Sequence, residues 1–160
     1  MSEIESKSRI APFLWFESNA EEAVDFYLSI FKNSRRVGEL RNNSIDDPRV
    51  VARGSVLTIT FELDGLQFTA LNGGAGHAFT DAVSFVVRCE NQEEIDYYWS
   101  RLTADGGSEV ACGWLKDRFG LSWQVVPARI GQLLDNPKAM QAMMRMKKLD
   151  IAELERAGRL

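Results

Sequence analysis

The sequence predicts an α+β fold built from two copies of one βαβββ unit, followed by a helical tail. Three observations carry that prediction. The stretch CGWLKDRFGLSWQVVP at 112–127 has a fainter copy, TFELDGLQFTALNG, at 60–73. Both read as strand, Asp/Gly turn, strand, punctuated by Asp117 and Gly120 in one and Asp64 and Gly65 in the other. Two amphipathic helices open on the same cap pattern. One long segment alternates strictly between apolar and polar residues. An internal repeat constrains architecture before any single residue can be interpreted.

The elements follow in order. A strand is expected over 10–16. The helix over 19–31 places Ala23, Phe26, Tyr27, Ile30 and Phe31 at i, i+3, i+4, i+7 and i+8, a single apolar stripe. Asn19 is its N-cap candidate, with Glu22 completing a capping box. A short strand near 36–40 leads into a polar connection over 41–54, where Asp46, Asp47 and Pro48 mark a loop. In 55–63, Leu57, Ile59, Phe61 and Leu63 face one way, and Val56, Thr58, Thr60 and Glu62 the other. In 66–72, Phe68 and Ala70 join the apolar set, and Gln67 and Thr69 the polar one. Gly73, Gly74 and Gly76 read as a flexible link.

The second copy starts with a strand over 83–89. Its helix over 91–104 carries Ile95, Tyr98, Trp99 and Leu102 as its stripe, with Asn91 and Glu94 as the cap pair. Registering Asn19 on Asn91 aligns Ala23 with Ile95, Phe26 with Tyr98, Tyr27 with Trp99 and Ile30 with Leu102. In 121–126, Trp123 and Val125 point toward the helix, and Ser122 and Gln124 away from it. The tail offers Asn136-Pro137 as a helix start. Met140, Met143, Met144 and Leu149 form a stripe, and Asp150 with Glu153 another capping box. The stripe suits packing on its own chain or between two chains. The chain thus reads as one domain over 1–160, with modules at 10–74 and 81–127 and a tail at 130–158.

The helix of each module covers one face of its sheet, and nothing in the module covers the other. Two such sheets side by side are expected to curl into a trough lined by semi-polar second faces, a shape that suits a small molecule. Composition narrows the partners. The chain has 160 residues, 45% hydrophobic content and a net charge of −4. The acidic balance disfavours nucleic acid and anionic membranes, and no apolar run is long enough to span a bilayer. The polar start MSEIESKSR carries no signal-peptide pattern, so a cytoplasmic location is expected. Cys89 and Cys112 form neither a disulfide framework nor a zinc spacing, and read as two reduced thiols.

With the repeat established, the chain resembles the vicinal oxygen chelate superfamily, which includes glyoxalase, bleomycin-resistance proteins and extradiol dioxygenases. It is most similar to the PhnB-like branch, whose members often carry the label 3-demethylubiquinone-9 3-methyltransferase domain. The resemblance lies in PFLWFESNAEEAVDFYLSIF at 12–31, GLQFTALNGG at 65–74, VSFVVRCENQEEIDYYW at 83–99, CGWLKDRFGLSWQVVP at 112–127 and MMRMKKLDIAELERA at 143–157. It implies a glyoxalase-like curved, mostly antiparallel sheet and a homodimer. It also implies where a divalent metal would sit: on a His or Glu of the first strand of each half, and a Glu of the last strand of one or both.

Those positions correspond here to Pro12, to Ala82 or Ser84, to Thr69 and to Gln124. Proline and alanine cannot ligate through side chains, and neutral hydroxyls and amides are weak donors. The only histidine, His77, lies in the loop NGGAGHAF. No metal and no cofactor are therefore expected; Glu62 beside Gln124 is the one route to a non-standard site. The glycine run precedes a strand instead of a helix, so it is no phosphate loop. The strand-rich order also differs from a Rossmann-like methyltransferase. Nothing in the sequence favours Cys112 with His77 as a nucleophile pair. Lys116 and Asp117 flank a turn, as a surface ion pair or with Lys116 contacting a ligand carboxylate. Trp15, Trp99 and Trp123 are expected in the core.

The expected function is metal-free binding of a neutral or mildly polar small molecule. Thr58, Thr60, Glu62, Gln67, Thr69, Ser84 and Gln124 would supply polar contacts, with Phe16 and Trp114 packing on the ligand. The alternatives are a superfamily enzyme (lyase, isomerase or dioxygenase-like) with an atypical metal, and the methyltransferase of the family label.

Overall fold

The computed structural model describes residues 8–160; residues 1–7 of the polar N-terminal stretch lie outside them. The chain divides into two compact units, one ending at Ala78 and one spanning Phe79–Leu160. Each unit contains a four-stranded mixed sheet and a covering helix, as the repeat predicts.

The first unit runs β1 (Phe13–Phe16), α1 (Ala20–Ile30), β2 (Ser34–Arg41), β3 (Val56–Leu63) and β4 (Leu66–Asn72). Its strand order is β1-β4-β3-β2; β1 runs parallel to β4, and the other pairs are antiparallel. Asp64 and Gly65 close the β3–β4 hairpin with φ of 48° and 84°. A two-residue loop with both residues at positive φ follows strand twist, and Asp-Gly suits it. Ala23, Val24, Tyr27 and Ile30 of α1 are buried, as are Ile59 and Phe61 of β3 and Phe68 of β4. Tyr27 stacks on Phe61 at 6.4 Å between ring centroids, and Phe61 on Phe68 at 5.3 Å.

One local expectation is corrected here. Asn19 makes no side-chain cap bond to α1. Instead, Asn72 at the end of β4 accepts from the Ala20 N–H through Oδ1 at 2.9 Å and donates through Nδ2 to the Val56 carbonyl at 3.0 Å. The cap comes from another strand because a buried amide can satisfy a strand carbonyl and a helix N–H together. The first two glycines of the run are anchored to the end of β1 and the residue after it. The N–H groups of Gly73 and Gly74 donate to Phe16 and Glu17 carbonyls at 2.8 and 2.9 Å.

The second unit runs β5 (Ser84–Cys89), α2 (Gln92–Leu102), a 3-10 turn at Ala104–Gly106, β6 (Ser108–Glu109), β7 (Trp114–Lys116) and β8 (Ser122–Pro127). Its order, β5-β8-β7-β6, repeats that of the first unit, again with the first and last strands parallel. Here the capping box forms as the sequence predicts. Asn91 Oδ1 accepts from the Glu94 N–H at 2.9 Å, and the Glu94 carboxylate accepts from the Glu90 N–H at 2.9 Å. Ile95, Trp99 and Leu102 are buried, as are Leu115, Trp123 and Val125.

The tail adds α3 (Ile130–Leu133), α4 (Pro137–Met143) and α5 (Ile151–Gly158) to this unit. Asn136 and Asp150 cap α4 and α5 as expected. The tail packs on its own chain: Leu149 and Leu154 are fully buried, and the Gln92 amide bonds both the Leu149 carbonyl and the Ile151 N–H. Met140 and Met144 remain 47% and 65% exposed.

Candidate functional site

Strand parity decides which side chains reach the face that no helix covers. In the first unit, Phe61 and Phe68 stack under Tyr27, so their neighbours Thr60, Glu62, Gln67 and Thr69 point the other way. Register places Thr60 opposite Thr69 and Glu62 opposite Gln67, with Thr58 opposite Leu71. The five polar residues expected in this unit therefore share one face, each half-buried.

Phe16 does not join them. It is 3% exposed and pairs with Asn72, whose side chain caps α1, so it belongs to the helix side. Trp15 takes the opposite place to the one expected. It pairs with Leu71 on the uncovered face, is half-buried, and donates from Nε1 to the Gly74 carbonyl at 2.9 Å. A Cβ on Gly73 would fall 2.3 Å from the Trp15 indole, so the ring lies directly on the glycine backbone. The exposed His77 ring rests on the same indole at 4.2 Å. The run FLWF has no alternation, so its parity was illegible locally. Only pairing with β4 fixes it.

In the second unit, Trp123 packs on Phe85 at 5.7 Å on the helix side. Ser84, Trp114 and Gln124 share the opposite face: Trp114 stands opposite Gln124, and Ser84 opposite Ser122. Gln124 donates from Nε2 to Ser84 Oγ at 3.0 Å. Ser122, which the sequence placed on this side without a role, is 1% exposed, and its Oγ has no hydrogen-bond partner.

Asp117 does not form the surface ion pair expected with Lys116. It is 3% exposed, and its carboxylate accepts from the Phe119 and Leu121 N–H groups and from Trp123 Nε1 at 2.9, 3.1 and 2.9 Å. It holds the β7–β8 turn and orients a core indole. Cys89 is buried; burial and the nearby Glu94 and Glu90 carboxylates push its thiol from 9.0 up to about 12, far from a nucleophile's range.

The superfamily's metal does not fit these residues. Pro12 contributes only its carbonyl, which accepts from the Thr69 N–H at 3.1 Å. Glu62, the one carboxylate held in reserve, is forked by Arg35, at 3.0 Å to Nε and 3.4 Å to Nη2. That bond holds the Arg35 guanidinium above its ordinary pKa. Gln124 is tied to Ser84. Among the described residues no group of three or more His, Cys, Asp or Glu is placed to hold a metal ion. Two open hollows lie away from both faces. One of about 1030 Å³ sits at the start of α1 beside Glu21, Glu22, Asp25 and Arg41; another of about 400 Å³ lies between α3 and α5. None of the nine expected site residues lines either one.

Paired βαβββ units with an open sheet face define a protein of the vicinal oxygen chelate superfamily. Residues 8–126 match the family model described as 3-demethylubiquinone-9 3-methyltransferase, and the chain belongs to that family. Among solved structures, a PhnB protein from Bacillus cereus is 35% identical, with a TM-score of 0.64 over 74% of this chain and 99% of its own. Protein PA1353 from Pseudomonas aeruginosa is 18% identical, with a TM-score of 0.60 over 76% and 98% of the two chains. The fosfomycin resistance protein FosX from Mesorhizobium loti is 11% identical, with a TM-score of 0.57 over 81% and 98%; like PA1353, it shares the fold. No curated protein matches the chain. Among the described residues no helix is long and apolar enough to cross a membrane.

Proposed function

We propose that this chain is a small-molecule-binding protein of the PhnB-like branch that holds its ligand on the uncovered sheet faces without a divalent metal. The observation that carries this reading is the donor set. Where the superfamily places histidines and carboxylates, this chain has Pro12, Ser84, Thr69 and Gln124, and the nearby Glu62 is already neutralised by Arg35. The expected site residues on these faces, Glu62 apart, carry hydroxyls, amides and the Trp114 indole, and the Trp15 indole joins them. That chemistry orients a small organic molecule through hydrogen bonds and flat apolar contact. The protein works in the cytoplasm as a homodimer, the state the resemblance implies; Met140 of α4 and Met144 at its C-cap, both left exposed, suit coverage by a second copy.

Two measurements test this. Elemental analysis of protein purified without chelator, with thermal shifts against zinc, manganese and nickel, is expected to show no stoichiometric metal and no stabilisation. A metabolite and antibiotic panel read by thermal shift or titration calorimetry is expected to give at least one ligand. A bound divalent ion at one per chain overturns the metal-free reading, and a panel without binders removes the binding one. Light scattering reads the dimer.

A further inference from the structure

On the uncovered face of the second unit one buried side-chain hydroxyl has no hydrogen-bond partner. A buried hydroxyl without a partner is costly, and native proteins carry few of them. Ser122 is such a group, and register fixes its surroundings. It stands in one row across three strands, between Lys116 of β7 and Ser84 of β5. Side chains directly opposite on neighbouring strands lie about 5 Å apart at Cβ. Gln124 donates to Ser84 Oγ, so the Ser84 hydroxyl proton is left to donate elsewhere. Lys116 makes no ion pair among the described residues.

The row therefore gathers an ammonium and two hydroxyls, and its neighbours do not cancel that charge. Side chains sharing this face on β5, β7 and β8 are Ser84, Val86, Arg88, Trp114, Lys116, Ser122, Gln124 and Val126: two cations and no anion. Asp117, next in sequence, is turned to Trp123, and Glu109 of β6 is turned to Trp99 Nε1 at 2.7 Å. In a protein of net charge −4, a sheet face whose own strands carry no acid among the described residues, with a lysine outside any ion pair there, is selective. In the adjacent row, Trp114 stands beside Gln124, and Val86 is 44% exposed.

We infer that the ligand of this face is an organic acid, its compact oxyanion seated on Lys116, Ser122 and Ser84 and its flat or apolar body lying against Trp114 and Val86. This rests on the ligand-binding reading above and replaces the neutral ligand expected from the sequence. Charge-assisted hydrogen bonds to an oxyanion are about twice as strong as neutral ones, so Lys116 sets the preference. Ser122 is 1% exposed, so reaching it takes a side-chain shift on this face.

Two aromatic probes, one anionic and one neutral, test the inference: benzoate and benzyl alcohol, titrated into nitrogen-15-labelled protein and read at the Trp114 indole and the Ser84 and Ser122 amides. Benzoate is expected to bind about tenfold more tightly than benzyl alcohol. Lys116→Gln is expected to erase that preference, bringing benzoate to within about twofold of benzyl alcohol. Ser122→Ala is expected to raise the melting temperature of the free protein and to weaken benzoate, a combination that a purely structural serine does not produce. Methylphosphonate in place of benzoate separates phosphonate from carboxylate as the head group. Equal affinity for the two aromatic probes, or a benzoate preference that survives in Lys116→Gln, overturns the organic-acid inference and leaves the binding reading standing. Failure of every probe to move these resonances overturns both.

Discussion

Asn72 caps a helix that begins 52 residues earlier. Its Oδ1 accepts from the Ala20 N–H at 2.9 Å while its Nδ2 donates to the Val56 carbonyl, so one buried amide joins α1, β3 and β4. The residue placed by sequence to do this, Asn19, makes no cap bond. Asn72→Ala loses both bonds at a 7% exposed position and is expected to cost about 2–3 kcal/mol. Asn19→Ala is expected to fall within about 0.5 kcal/mol of the parent. Asn91→Ala, which removes a true cap, should cost about 1 kcal/mol. Urea unfolding of the three variants checks the ranking; an Asn19 effect equal to that of Asn72 contradicts it.

Gly73 is the floor under Trp15. A methyl there meets three indole carbons between 2.3 and 2.7 Å, and the ring is held in place by its bond to Gly74. Gly73→Ala is expected to destabilise by about 2 kcal/mol or more, because the indole must leave its rotamer or the loop must lift. Loss of the Trp15–His77 contact gives a second readout, a shift of the His77 ring protons in the variant's spectrum.

Asp117 accepts three hydrogen bonds in a nearly closed site. Asp117→Ala strands the Trp123 indole N–H and two turn N–H groups, with an expected loss of about 3 kcal/mol or more. Asp117→Asn retains an acceptor for one or two of these donors and is expected to lose less. Thermal unfolding of both variants, with the Trp123 indole N–H resonance as a local report, separates the two outcomes.

Cys89 and Cys112 are expected to behave oppositely. Burial first, then Glu94 and Glu90, hold the Cys89 thiol protonated up to about 12, whereas Cys112 is half-exposed. A disulfide reagent near pH 8 should modify one thiol at once and the second only on unfolding. The sign of the pH effect follows from proton binding. Between 9.0 and about 12 the folded chain keeps a proton that the unfolded chain has released, so the contribution is full below 9.0 and is lost as pH rises. Cys89→Ala is expected to flatten the alkaline limb of the stability curve; an unchanged slope rejects the assignment.

Much of this molecule was legible locally. The two helices, the β3 alternation, the Asp64-Gly65 hairpin and the Asn91, Asn136 and Asp150 caps each depend on residues within a turn or a strand of one another. So did the polar set Thr58, Thr60, Glu62, Gln67 and Thr69, because period-two alternation assigns faces without knowledge of the neighbours. Phe16 and Trp15 exchanged places because four consecutive apolar residues carry no parity.

The sequence by itself determined the repeat and the βαβββ order of each unit. Those follow from residue identity and short-range period. Tertiary structure decided that Asn72 caps α1, that Trp15 lies on Gly73, that Arg35 holds Glu62, and that Ser122 is buried beside Lys116 without a partner. Each of these joins residues on different strands or loops. Their meeting is set by sheet register and by which buried polar group finds a partner first, and neither is written in the spacing along the chain.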